Sequence, residues 1–158
     1  MPGLCMRRAW VLALALACAA PAGADEAGQV LAAVNQQRAN AGCPALVMNA
    51  KLSAAAKVHA RAMAEKDFFG HGGKSGFAGR IKAQGYRYSL AAENIAAGQK
   101  TAAGAMQAWM DSSGHRKNIL NCRLRETGIA MVYQADDAPL KGSKHPMKYY
   151  WVQVFASP

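Results

Sequence analysis

Three residues carry most of the chemistry on offer: His71, Glu93 and His115. His71 stands among glycines, after Gly70 and before Gly72 and Gly73. His115 follows Ser112, Ser113 and Gly114. Glycine-bearing segments at helix boundaries let side chains project into a cleft. Glu93 is an acid inside an apolar run, with Ala91 and Ala92 before it and Ile95 and Ala96 after it. A carboxylate buried there without a partner is costly, so a polar group must meet it. Two histidines and a glutamate suit a divalent, zinc-like metal with one open position. They equally suit a metal-free acid–base group with Glu93 as general base. The plainest use is structural, with Glu93 pairing to a histidine and tying loops together. Spacing lends the metal and acid–base uses little support, because there is neither an H-E-x-x-H motif nor a pair of C-x-x-C motifs, and the residues by themselves favour the structural use.

Other residues offer less. His59 falls on the apolar face of an expected helix and reads as a hydrogen-bonded core histidine. His145 precedes Pro146 in a charged loop and reads as solvated. No G-x-S-x-G nucleophile motif occurs, and Ser112 and Ser113 read as helix caps.

The elements that must position these residues follow from periodicity. Apolar residues at helical spacing predict helices over 29–41 and 50–66, the second capped by Asn49. Four glycines over 71–79 mark a loop around His71. A short helix over 77–84 is expected, ended by Gly85. Tyr86, Tyr88 and Leu90 alternate as in a strand. Thr101 caps a helix to about Trp109, and Ser113 caps another through Leu120. The tail is richer in β-branched and aromatic residues, which predicts strands over 128–133 and 147–155. Helices early and strands late make an α+β domain.

The N-terminus reads as a leader. Arg7 and Arg8 precede an apolar run over 9–20, and Ala22, Gly23 and Ala24 form a small-residue cleavage pattern. We expect a signal peptide over 1–24, cleavage before Asp25 and one domain over 25–158. A lipoprotein site at Cys18 fits poorly, since Leu16 is not three residues before it. No later apolar run has membrane length, so the mature chain is expected not to span a bilayer, and a monomer is expected. Loss of the leader leaves Cys43 and Cys122. An even pair in an exported chain suggests one disulfide, closing about 80 residues, with two buried thiols as the alternative.

The formal charge is +10, and the leader's loss removes two positive charges from it. Such a charge favours an anionic envelope component, a lipid or a cell-wall polymer, or serves solubility alone. Nucleic acid is not expected, because Lys and Arg are scattered and not interleaved with stacking aromatics.

At these segments the chain resembles the bacterial branch of the CAP superfamily (SCP, cysteine-rich secretory protein, antigen 5, pathogenesis-related 1). The ordered matches begin with Val34, Asn35 and Arg38, then Leu52, Ala55, Ala56 and His59. His71, Gly76, Arg80, Ile81, Gly85 and Tyr86 follow, then Glu93, Asn94 and Gly98. The run from Trp109 through Ser112, Gly114, His115, Arg116 and Asn118 comes next. Thr127, Gly128, Trp151, Gln153 and Phe155 close the set.

The resemblance implies a three-layer α-β-α sandwich with a small, mainly antiparallel sheet and a central cavity. In animal and plant members that cavity holds two His and two Glu and can bind a divalent metal. His71 and Glu93 match the first of each. Ser112 stands at the second Glu position and Tyr150 at the second His position. The bacterial pattern offers His115 instead. The resemblance does not fix an activity. It implies a periplasmic or secreted module binding an envelope or extracellular ligand, lipid or glycan, with or without a divalent metal. The rival is a metal-assisted hydrolase of cell-wall peptide or polysaccharide. There Glu93 is the general base, and His71 and His115 hold a metal or stabilise charge.

Overall fold

Asn49 starts the helix on which the molecule is organised. Its side chain accepts from the backbone N–H groups of Lys51 and Leu52, at 2.9 and 3.3 Å, the N-cap expected from its position. The structure is a computed structural model and describes residues 22–73 and 76–158. The expected leader's basic and apolar segments, with Cys18, lie outside the described residues.

In chain order the elements are α1 (Ala22–Asn40), β1 (Val47–Met48), α2 (Ala50–Glu65) and α3 (Gly76–Ala83). Then come β2 (Leu90–Ala97), α4 (Ala102–Asp111), α5 (Ser113–Ile119), β3 (Glu126–Tyr133) and β4 (Tyr149–Ser157). The sheet order is β1-β3-β4-β2. Two pairings are antiparallel and β1 runs parallel to β3, so the sheet is mixed. Among the described residues, no helix is long and apolar enough to cross a membrane.

Alternation along the strands builds the layers. Ile95, Ala130, Val152 and Val154 pack with Leu52, Ala56 and Met63 of α2 and Ile81 of α3. Ala96, Ile129, Trp151 and Phe155 pack with Val30 and Val34 of α1 and Met106 and Trp109 of α4. The result is the α-β-α sandwich of an α+β fold.

Several boundaries differ from the sequence expectation. α1 begins before residue 29 and includes Asp25. Tyr86 and Tyr88 lie outside any strand: Leu90 pairs with Ser157, where β4 ends, so 86–88 have no ladder to join. α5 begins at Ser113 with Ser112 at its cap, and that cap makes no side-chain hydrogen bond. The two-residue β1 is too short to leave a periodic signal.

Two close fits hold the layers. A Cβ on Gly128 of β3 would overlap the Leu52–Ser53 peptide of α2, so only glycine lets this helix sit on the sheet. Arg38 of α1 is fully buried and donates to the carbonyls of Pro44, Ile119, Asn121 and Leu124 at 2.7 to 3.0 Å. Cys43 and Cys122 are disulfide-bonded beside this clamp, with Cα atoms 4.8 Å apart.

Candidate functional site

The site forms at β2, which is an edge strand paired only to β4. Glu93 shares a face with Ala91, Ile95 and Ala97, towards α2 and α3. Its side chain is fully buried. Three elements converge on it. From the glycine loop, His71 places Nδ1 2.8 Å from Oε1. From α3, Arg80 donates through Nη2 to Oε1 at 2.9 Å and Oε2 at 2.7 Å. From α2, His59 places Nε2 3.8 Å from Oε1.

The bonds assign protons. His59 Nε2 lies 2.8 Å from the Gly70 carbonyl, an acceptor only, so this nitrogen carries hydrogen and donates. Likewise His71 donates from Nδ1 to the Glu93 carboxylate. Its side chain is 53% exposed, the accessible member of the cluster. Burial lowers the His59 pKa below the ordinary histidine value and outweighs the raising effect of Glu93.

Gly72 makes the loop's approach possible. Its φ is +72°, and a Cβ there would lie 3.0 Å from Arg80 Nη1 and 3.6 Å from His59 Cε1. Arg80 Nη1 also donates to the His71 carbonyl at 3.1 Å. One guanidinium therefore holds both the loop backbone and the acid. An open cleft of about 540 Å³ reaches this corner, lined by His59, Lys66, Phe68, Gly72 and Arg80 among others.

His115 is placed differently. It lies within α5, on the opposite face of the sheet from α2 and α3. Asn94, the neighbour of Glu93, points to that face. Its Nδ2 donates to the His115 carbonyl at 3.1 Å. Asn118 Nδ2 donates to Asn94 Oδ1 at 2.9 Å and to the Glu93 carbonyl at 3.3 Å, covering the free edge of β2. The His115 ring makes no hydrogen bond to Glu93 among the described residues, and its Nδ1 is buried without a partner. Burial first, then nearby His71, lowers its pKa. Of the two rings, His71 is the one hydrogen-bonded to the acid.

The chain as a whole has relatives. The model of the cysteine-rich secretory protein family, CAP, matches residues 31–155. The chain belongs to that family. It is 37% identical over 108 residues to the uncharacterized protein YkwD of Bacillus subtilis (strain 168), covering 66% of this chain and 41% of that protein. Among solved structures, it is similar to an extracellular protein containing a SCP domain from Bacillus anthracis str. Ames. There the TM-score is 0.72 and the identity 25%, over 86% of this chain and 41% of that one. An outer surface protein of Borrelia burgdorferi shares the fold at a TM-score of 0.72 and 18% identity, over 84% of this chain and 92% of that one. The chain thus spans under half the length of the two Bacillus relatives.

The metal expected for a CAP cavity does not fit the groups present. Arg80 engages both oxygens of Glu93, and a dication placed there would face a guanidinium at hydrogen-bond range. Ser112 and Tyr150 supply no second Glu or His; the Tyr150 hydroxyl instead donates to Asp137, 3.0 and 3.1 Å from its two oxygens. Among the described residues, no group of three or more His, Cys, Asp or Glu is placed to hold an ion.

Sequence reasoning overlooked Arg80 as the partner of Glu93 and Asn94 with Asn118 as the brace for His115. It placed His59 correctly as a hydrogen-bonded core residue but missed its approach to the acid. An arginine in a short helix just after the glycine loop was the available signal for Arg80.

Proposed function

We propose that this CAP module is exported and binds an envelope or extracellular ligand, a lipid or glycan, at the edge of β2 where His71 is presented. One observation carries the reading. Glu93 is buried and held from both sides, so its role is to orient the exposed His71 imidazole. Its carboxylate is fully buried with both oxygens already engaged by Arg80 and His71, so no oxygen faces a substrate water, which argues against Glu93 as the general base of a hydrolase. The basic-then-apolar leader pattern, the Cys43–Cys122 bond and the extracellular setting named for the Bacillus anthracis relative support export.

The test is co-sedimentation of the protein with purified peptidoglycan and with phosphatidylglycerol vesicles. Binding that survives about 0.5 M salt and falls in His71→Ala supports a shaped site over bulk charge. If His71→Ala and Glu93→Gln lower the melting temperature but leave binding to both probes unchanged, the site is structural and the ligand reading is lost.

A further inference from the structure

A second depression lies beyond the C-terminal end of α3, at the opposite end of that helix from the His71 loop. Its volume is about 470 Å³, and Lys82, Gly85, Tyr86, Arg87 and Tyr88 line it. No acid is among them. Lys82 and Arg87 are exposed, and neither joins an ion pair among the described residues. Lys51 brings a third cation to the rim, with Nζ donating to the Gly85 carbonyl at 3.0 Å. The nearby acid Glu126 is engaged, because its Oε2 accepts from the Tyr86 hydroxyl and, at 3.3 Å, from Asn49 Nδ2. Those bonds fix the Tyr86 ring as a wall. Tyr88 is half-buried against the α2-side core.

We propose that this pocket is a second ligand site, for an acidic saccharide such as the uronic-acid unit of a polysaccharide. Two complementarities select that class. Unpaired lysine and arginine donate charge-assisted hydrogen bonds to a carboxylate. The half-buried Tyr88 ring offers an apolar face with a polar tip, beside the wall made by Tyr86, which suits the C–H face and hydroxyls of a sugar ring. A bare phosphate leaves the tyrosines unused, and a lipid chain leaves the cations unused. The site is independent of the His71 reading, because no residue is shared between the two.

The test titrates the full chain with tetragalacturonate by calorimetry, with a neutral galactose tetramer, inorganic phosphate and phosphatidylglycerol vesicles as comparisons. The acidic tetramer is expected to bind and the neutral one to bind far more weakly. The double variant Lys82→Gln/Arg87→Gln is expected to weaken tetragalacturonate about tenfold. Tyr88→Leu, which keeps apolar bulk, is expected to weaken it about fivefold. Lys141→Gln/Lys144→Gln removes the same charge from a distant loop and is expected to leave binding intact, as is His71→Ala.

Equal loss in the Lys141/Lys144 variant would reduce the effect to bulk charge and overturn the proposal. So would loss in His71→Ala, absence of tetragalacturonate binding, or phosphate or vesicles binding through these residues in its place. Should Tyr88→Leu melt early, the exposed Lys82/Arg87 pair decides alone: unchanged affinity there refutes the site.

Discussion

Arg80 lays one guanidinium nitrogen across both carboxylate oxygens of Glu93, at 2.9 and 2.7 Å, and so fastens α3 to the edge strand β2. The glutamate is fully buried and the arginine side chain 16% exposed. Removing one partner of a buried pair strands the other charge, at a cost of about 3–5 kcal/mol, whereas replacing both with apolar groups is often neutral. Arg80→Met is therefore expected to lose about 3 kcal/mol in urea denaturation. Arg80→Met/Glu93→Leu is expected to recover most of it. A double-variant loss equal to the sum of the Arg80→Met and Glu93→Leu losses would show that the pair is not coupled.

Buried His59 predicts a pH dependence. Its folded pKa is depressed, so between that value and the ordinary one near 6.5 the unfolded chain binds the extra proton. Stability is then fully present above about pH 6.5 and falls as pH drops through the folded value. His115 is depressed in the same direction and adds to the slope. His59→Gln keeps a donor for the Gly70 carbonyl without a titrating ring. Its urea midpoint is expected to vary less than wild type between pH 8 and pH 5, and an unchanged slope would assign the effect elsewhere.

Gly128 predicts a backbone clash. A methyl group there meets the Leu52–Ser53 peptide, and neither strand nor helix can rotate away as a side chain could. Gly128→Ala is expected to cost about 3 kcal/mol or more, at or beyond the usual range for overpacking. A melting temperature within a degree or so of wild type would show that α2 rides freely on β3.

The disulfide and Arg38 brace one corner by different means. The bond closes a separation of 79 residues, worth about 4–5 kcal/mol in the chain-entropy model. Arg38 holds Pro44 and the segment 119–124 through carbonyls alone. Reduced protein is expected to remain folded at 25 °C with a lowered melting temperature, while Arg38→Met under reduction unfolds. Equal stability of the reduced single variant and the reduced wild type would remove Arg38 from the brace.

How much was legible beforehand depends on the range of the interaction. The Asn49 cap, the Thr101 cap and the stop at Gly85 are local, and each was visible as residue type beside periodicity. The α+β class and the need of Glu93 for a partner were equally visible, since an acid in an apolar run must be met by something. The sequence alone did not show that Arg80 is that partner. Their separation of 13 positions along the chain says nothing about where α3 lies on the sheet. Nor did it show that Glu93 and Asn94, adjacent in the chain, serve opposite faces of an edge strand. Asn94 therefore meets the His115 carbonyl, while Glu93 meets His71. Residue types determined which groups had to be paired. Only the packing of α2, α3 and α5 around β2 decided the pairs, because burial and strand alternation act on distances in space that spacing along the chain does not carry.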